Sequence, residues 1–368
     1  MKVALDVSAV PLRPAGAGRY VMELARVLDA HDLVGRLISR RDDRHRWSEI
    51  APNSSCDAIV PTARASRLTF EAVRLGRGSS VRGCDLWHAP HYTMPHRANV
   101  PVAVTVHDMT FFTHPEWHER SKAPFFRRAI QYATKHASVI IAVSEFTARE
   151  IRELAPSDVA IVVATHGVDL DRFSPEPRAW PTGLPERNRP YIFFVGTLEP
   201  RKGLDVLLEA FAHLSAEDAE IELWIAGQFG WGDDKLSASV TQHAGASRIR
   251  TLGFVSDEQL SALLANARAV AYPSRGEGFG LPVLEALASG APVVTSANTV
   301  MAEVAGDAAL LSPVGDAVAL AGALRKLLDL DHGSRSELAG VARRRAEQFT
   351  WEHSLNQHLA AYQLGLSH

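Results

Sequence analysis

Cysteine is scarce: the 368 residues contain two, Cys56 and Cys84, too few for a disulfide framework or a Cys-rich metal site. No apolar run approaches the roughly 18 residues that a membrane span needs. The opening MKVALDVSAV does not read as a secretory signal, because Asp6 interrupts the apolar stretch and turns it into a first strand. Short-period repeats and low-complexity tracts are absent. The net charge is only −3, and no nucleic-acid partner is expected. What remains is a soluble, cytoplasmic, globular chain, 46% hydrophobic and 22% charged. It is too long for one compact core and fits two domains.

The small net charge divides unevenly, slightly positive up to Ser174 and negative beyond it. The positive excess is nearly all arginine, clustered in Arg36–Arg46 and Arg64–Arg82. Such clusters could touch an anionic lipid surface, giving peripheral contact with the cytoplasmic face of an inner membrane, or an anionic lipid-linked molecule. The plainer alternative is a solvated arginine-rich face.

Short Val/Ile/Ala runs alternate with helical patterns throughout, the mark of parallel βαβ units with buried strands. The runs predict strands at Val3–Val7, Ala58–Val60, Asp85–His88, Val102–Val106, Ser138–Val143 and Ala160–Ala164, with helices near Gly18–Leu28, Arg120–His136 and Glu145–Leu154, the last capped by Ser144. Pro175, Pro177, Pro181, Pro185 and Pro190 fall within sixteen residues and predict a linker. Strands resume at Tyr191–Val195, Ile221–Ala226, Arg250–Phe254, Ala269–Tyr272, Pro292–Thr295 and Ala308–Leu311. Ser256-Asp-Glu-Gln259 has the spacing of a capping box opening a helix to about Ala265. The division is therefore 1–174, a linker at 175–190, and 191–350. The expected class is α/β, two doubly wound Rossmann-like domains facing across a cleft. Open sheets of this kind bind ligands at the carboxyl ends of their strands.

The most informative segment is Ser274-Arg-Gly-Glu-Gly-Phe-Gly-Leu-Pro-Val-Leu-Glu-Ala-Leu-Ala-Ser-Gly290. It follows a buried strand and enters a helix, with Pro282 near the favoured first helical position. Gly276, Gly278 and Gly280 would let backbone approach a ligand, and the helix start would present amides to an anion. Glu277 and Glu285, eight residues apart, would face hydroxyl-rich sugar or ribose. Here the sequence resembles the retaining GT-B glycosyltransferases of family 4, which share a Glu-x7-Glu motif. The resemblance implies that Glu285 holds the nucleotide ribose, that Glu277 holds the donor sugar, and that Gly278, Phe279, Gly280 and Leu281 lie against the donor.

Three further segments carry the same resemblance. Gly196-Thr-Leu-Glu-Pro-Arg-Lys-Gly203 ends a strand and opens a helix; Arg201 and Lys202 can neutralise a diphosphate. Pro14-Ala-Gly-Ala-Gly-Arg-Tyr20 is similar to the family's glycine loop, with Gly16 and Gly18 beneath the donor phosphates. Val102-Ala-Val-Thr-Val-His-Asp108 sets His107 and Asp108 at the end of a buried strand, and the resemblance puts His107 near the transferred sugar. Phe254 and Val255 fall where the family contacts the nucleotide base, though core packing would serve equally. His166-Gly-Val-Asp169 resembles a structural turn. The tail from Phe349 through Tyr362 looks like the terminal helix, about 351–364, that packs back on the first domain.

Other features carry weaker signals. His88, His91, His96, His114 and His118 lack the spacing of zinc ligands, so no metal is expected. The helix around Phe125-Phe-Arg-Arg128 could touch a membrane but suits ordinary packing. The stretch Arg36–Arg82 matches no motif and leaves the acceptor open. A dinucleotide oxidoreductase is disfavoured because neither strand-one loop completes Gly-x-Gly-x-x-Gly. What the resemblance implies is a metal-independent, retaining hexosyltransferase without a cofactor, taking a nucleotide diphosphate sugar and a glycan or lipid-linked acceptor. Thr105–Trp117 looks most like mannosyltransferases of bacterial surface polysaccharides, which favours GDP-mannose over UDP-, ADP- or dTDP-sugars. A non-catalytic sugar-nucleotide-binding subunit is the remaining alternative.

Overall fold

The computed structural model describes residues 1–12, 14, 16–176, 179–228, 238–243 and 245–367; Pro177 of the proline-rich stretch and Ala15 of the glycine segment lie outside them. The chain forms two units, the first made of residues 1–167 with the helix Trp351–Leu366, the second of residues 168–350.

The first unit is built on seven parallel strands: β1 Val3–Asp6, β2 Val34–Arg40, β3 Cys56–Val60, β4 Leu86–Ala89, β5 Val102–Val106, β6 Val139–Ala142 and β7 Ile161–Val163, in the order 3-2-1-4-5-6-7. Val3 pairs with both Val34 and Leu86, so β1 is central and the strand order reverses beside it. Alternation along the strands supplies two cores. Ala4, Trp87, Val104 and Ile140 face one side, while Val3, Leu5, Leu86, Ala103 and Ile141 face the helices Gly16–Ala30 and Trp351–Leu366 on the other.

The second unit repeats the plan with β8 Tyr191–Val195, β9 Glu222–Ala226, β10 Ile249–Gly253, β11 Ala269–Tyr272, β12 Val293–Ser296 and β13 Leu310–Ser312, ordered 10-9-8-11-12-13. Every pairing is again parallel. The described part of the proline-rich stretch packs on this unit: Trp180 stacks edge-on against Trp224, and Thr182 accepts a hydrogen bond from Gln259.

Local signals hold where they were strongest. Ser144 accepts from the Thr147 amide at 3.0 Å, and Ser256 with Gln259 closes the capping box. Strand β2 and the helices Arg44–Ile50 and Arg64–Arg74 fill the segment that carried no motif. Three of its arginines are tied back onto the unit. Arg36 pairs with Asp57 at 2.7 Å, Arg40 donates to the Val10 carbonyl, and Arg46 bonds Asp43 and the Pro11 carbonyl.

The terminal helix is fastened to the first unit by a buried relay of neutral groups. His358 Nδ1 lies 2.7 Å from the Ser354 carbonyl, which can only accept, so the proton sits on Nδ1 and Nε2 must accept. Tyr20 then donates to His358 Nε2 at 2.8 Å and accepts from Thr105 at 3.0 Å. Thr105 in turn accepts from His88 Nε2, and His88 Nδ1 accepts from Tyr362, both at 2.8 Å. Each donor meets one acceptor, as buried polar groups require. Burial pushes both histidines below their usual range, His358 to about 4.

An unfolded histidine takes up a proton below about pH 6.5 that folded His358 refuses. The stability tied to His358 is therefore complete above that pH and falls as pH drops toward 4. Urea unfolding at pH 7 and pH 5 should show the wild type losing about 2 kcal/mol more than His358→Phe over that interval. At pH 7 the variant itself should be about 1–3 kcal/mol less stable, because Tyr20 loses its acceptor.

Candidate functional site

In the second unit the strand order reverses between β8 and β11, where doubly wound sheets bind ligands. The loops leaving these two neighbouring strands carry the residues singled out above. The first, Gly196–Gly203, ends in a short 3₁₀ turn, Pro200–Lys202, and the helix Leu204–Glu217 starts only after Gly203. Arg201 and Lys202 therefore stand just ahead of the helix, in the segment that opens it. Gly203 has φ +72°, and a Cβ there would lie 2.1 Å from the Pro273 carbonyl oxygen. That contact lets the two loops touch, and they zip together through Arg275 N donating to the Arg201 carbonyl at 2.7 Å. Arg275 also grips Asp205 with both terminal nitrogens, at 2.9 and 2.6 Å.

Between the loops lies a charged knot. Glu277 Oε2 accepts from Arg201 at 2.7 Å, while Oε1 accepts from Lys202, from the Tyr272 hydroxyl at 3.0 Å and from Ser274 at 2.9 Å. Lys202 also donates to the Tyr272 hydroxyl at 2.8 Å, and Arg201 Nε reaches Glu199 at 3.3 Å. Burial opposes every one of these charges, but the outcomes differ. For Glu277 burial is overcome by Arg201 and Lys202, which hold the carboxyl at about 2. For Arg201 the carboxylates of Glu277 and Glu199 outweigh burial and raise its pKa. Lys202 stays below its ordinary value, because burial and the neighbouring guanidinium outweigh Glu277. The cation pair is thus set around an internal anion, Glu277, which both members contact.

The motif's other members are spread around this knot. Gly280, with φ +99°, starts the helix Leu281–Ala288, and Pro282 lies in its first turn. Glu285 sits in the second turn of that helix and is buried. Gly278 lies in the loop, while Phe279 and Leu281 are buried, Phe279 edge-on to Phe349. Phe254 is 68% exposed beyond β10, so core packing is not its role, and Val255 beside it is partly buried. Tyr272 was missed by the sequence reading. The signal available was a tyrosine ending a fully buried strand, whose hydroxyl must find a partner.

In the first unit, β5 delivers His107 and Asp108 to the sheet's carboxyl edge. His107 Nε2 donates to the Pro90 carbonyl at 2.8 Å, which leaves Nδ1 as an acceptor. Burial lowers its pKa, so the ring is neutral. Rings of Tyr20, His91, Tyr92 and His166 surround it at 5.2–6.1 Å. None of these was singled out for that place. Asp108 is committed on both oxygens: Oδ2 accepts from Tyr92 at 3.0 Å, and Oδ1 from the Thr110 amide and hydroxyl at 3.0 and 2.5 Å. Gly16 and Gly18 form no loop but lie in the first turn of the helix Gly16–Ala30, Gly18 where a Cβ would meet Pro14 at 2.7 Å. The loop histidines scatter, with His118 on Thr110 and His114 on Glu116. Among the described residues no three His, Cys, Asp or Glu side chains gather as metal ligands, and no helix is long and apolar enough to cross a membrane. His166 stacks on Tyr20, and Asp169 binds the amides of its own turn, both structural positions.

Two parallel doubly wound units with ligand-type loops at a switch point define a GT-B glycosyltransferase architecture. The model of glycosyltransferase family 4 matches residues 14–172, and that of glycosyl transferases group 1 matches residues 180–345. The O-antigen chain mannosyltransferase B of Escherichia coli is 35% identical over 99% of this chain and 100% of its own. A glycogen synthase of Mycobacterium tuberculosis is 30% identical over 93% of this chain and 89% of its own. The sucrose-phosphate synthase structure from Thermosynechococcus elongatus superposes with a TM-score of 0.79 at 20% identity, all of both chains covered. The chain belongs to glycosyltransferase family 4 and is a glycosyltransferase.

Glu277 compensates two buried cations, and removing it strands them. Glu277→Gln should lower stability by about 3–5 kcal/mol in chemical denaturation, and Glu277→Gln with Lys202→Met should recover part of the loss. The contribution of Glu277 is complete above its ordinary pKa of 4.5 and vanishes as pH falls through about 2. The difference between wild type and Glu277→Gln should therefore persist at pH 5.

Proposed function

We propose that this chain is a retaining, metal-independent hexosyltransferase that moves mannose from GDP-mannose onto a glycan or lipid-linked acceptor. The observation that carries the reading is the Arg201–Lys202–Glu277 knot at the switch point of the second sheet. Cleaving a sugar–phosphate bond leaves negative charge on the departing diphosphate, and groups fixed in advance stabilise it best. Arg201 and Lys202 are fixed in advance by Glu277, Tyr272 and Ser274. Lys202, buried beside Glu277 and the Tyr272 hydroxyl, is placed to meet the diphosphate. Glu277, relieved of part of its cation load, then accepts donor-sugar hydroxyls, and Glu285 takes the ribose. Phe254, exposed beyond β10, offers a face to the base. Arg201 and Lys202 offer cationic donors for the diphosphate, and the metal-independent reading rests on them.

The mannosyl assignment rests on the O-antigen relative, which aligns over its full length. Glucosyl or other hexosyl transfer from UDP-, ADP- or dTDP-sugars is the alternative, since the glycogen synthase relative aligns nearly as far. In the first unit His107 accepts a sugar hydroxyl at Nδ1, and Asp108 positions the turn that carries it. The acceptor belongs to this unit.

The test is a thermal-shift and slow-hydrolysis panel over GDP-, UDP-, ADP- and dTDP-sugars with EDTA present. A donor at 100 times its dissociation constant stabilises by about 2.7 kcal/mol, so GDP-mannose should raise the melting temperature most and lose its sugar slowly. NMR of a transfer product should show the donor's anomeric configuration. Lys202→Ala should lower kcat by roughly 10²-fold or more; near-wild-type turnover removes Lys202 from the clamp. Donor binding without turnover on any acceptor identifies a sugar-nucleotide-binding subunit instead.

A further inference from the structure

The helices Arg64–Arg74 and Lys122–His136 of the first unit border a groove of about 310 Å³. Leu68, Met94, Phe125 and the ring of Tyr132 supply its apolar lining. The loop beneath is held to both helices: the His96 amide donates to the Ala72 carbonyl, and the Tyr132 hydroxyl to the His96 carbonyl, both at 3.0 Å. What surrounds the groove is charge of one sign. The first helix with its extension to Arg82, the loop 90–101 and the second helix together hold ten Lys or Arg and one acid, Glu71, in a chain whose overall balance is slightly acidic. Glu71 is buried and presents no charge to solvent. Three of the cations are committed: Arg67 to Glu71, Arg127 to the Phe111 and Phe112 carbonyls, and Lys122 to Glu119, the acid whose charge also reaches Arg64. Arg64, Arg74, Arg97, Arg128 and Lys135 are exposed and, among the described residues, form no ion pair. Arg64 lies one turn before Leu68, Arg128 stands at the rim itself, and Lys135 follows Tyr132 by three residues, so all three lie on the groove's side of their helices.

An apolar groove inside a ring of unpaired cations is complementary to a surface that carries negative charge and hydrocarbon together. An anionic bilayer does so, its headgroup phosphates attracting Lys and Arg and its acyl chains taking apolar side chains. A polynucleotide offers the charge without the hydrocarbon. We infer that this face docks the chain on an anionic phospholipid bilayer, with Arg64, Arg128 and Lys135 on the headgroups and the groove receiving a lipid chain. The loop beneath the groove starts near His91, whose ring lies 5.3 Å from that of His107, so docking brings the carboxyl edge of the first sheet toward the membrane. One consequence rests on the transferase reading above: the acceptor is then lipid-linked rather than a free glycan.

Co-sedimentation of the full chain with vesicles of phosphatidylglycerol and phosphatidylcholine in equal parts, against vesicles of phosphatidylcholine alone, tests the docking. Wild type should bind the anionic vesicles, leave them as salt rises, and ignore the zwitterionic ones. Each neutralised cation should lower the partition coefficient about fivefold, so Arg64→Gln with Arg128→Gln and Lys135→Gln should lower it about 10²-fold. Ala129→Leu, which narrows the groove, should weaken binding without changing its salt dependence. Arg41→Gln with Arg44→Gln, exposed arginines outside this face, should bind as wild type. Unchanged melting temperatures show that the variants fold, and the surface neutralisations keep the test valid should Ala129→Leu not. No binding to anionic vesicles, equal binding to both kinds, equal losses in the two arginine sets, or a folded Ala129→Leu that binds as wild type overturns the proposal. So does binding of duplex DNA in place of vesicles, lost in the triple variant, since the face is then a polynucleotide site. GDP-mannose binding is measured alongside. Donor binding without vesicle binding removes the docking face and leaves the donor reading, and vesicle binding without donor binding does the reverse.

Discussion

Glu277 with Arg201 and Lys202 is an interaction that stability alone would not select. Three charges are withdrawn from water, and replacing such a group by apolar residues of similar volume is often neutral or stabilising. What makes it tolerable here is saturation: Oε1 receives three donors and Oε2 one, and each cation has a second partner in Tyr272 or Glu199. The architecture then follows from the need to hold it. Gly203 lets two loops from adjacent strands touch, Arg275 clamps the loop after β11 to the helix Leu204–Glu217, and Phe279 anchors that same loop in the core. The outcome is a pair of cations whose positions are fixed before any anion arrives, the arrangement that electrostatic catalysis of a leaving diphosphate requires.

The first unit solves a similar problem without charge. Its polar interior is a chain of hydroxyls and neutral imidazoles from Tyr362 through His88, Thr105 and Tyr20 to His358, each donor matched to one acceptor. Tyr20 stacks on His166 and meets His107 edge-on, so the same residue that fastens the terminal helix also bounds the ring at the end of β5. Support and candidate site therefore share side chains. A change in the terminal helix far along the chain from His107 alters the surroundings of that ring.

What could be read in advance was what lies close together in the chain. Buried parallel strands betray themselves as short Val/Ile/Ala runs, so twelve of the thirteen strands among the described residues, both helix caps and the β11–loop–helix unit with its two glutamates were legible. Strand β2 was not, because Gly35 and Arg36 interrupt the apolar run Val34–Ile38 and Arg40 ends the strand; the two arginines pair with Asp57 and the Val10 carbonyl, partners found only after folding. Tyr272 and Tyr20 were missed for the same reason. Their meaning comes from Lys202, seventy residues away, and from His358 at the other end of the chain. The glycine segment shows the converse error: Gly-x-Gly suggested a loop, but Gly18 is needed to admit Pro14 against a helix.

The same geometry bears on the route of transfer. A double-displacement mechanism needs a nucleophile with a free lone pair and a group able to leave it. At the end of β5 the carboxylate is Asp108, and both its oxygens are spent on Tyr92 and Thr110, bonds that fix the backbone turn and would break if it attacked. His107 offers only Nδ1, on a ring whose buried setting disfavours the charge that attack would create. Glu277, ionised and buried, is tied to two cations whose compensation would vanish if one of its oxygens were alkylated. Each residue is better suited to holding than to reacting. For the retention proposed above, these commitments favour attack by the acceptor itself, on the side from which the diphosphate departs. The protein's part in that route is placement of two substrates and stabilisation of the departing charge.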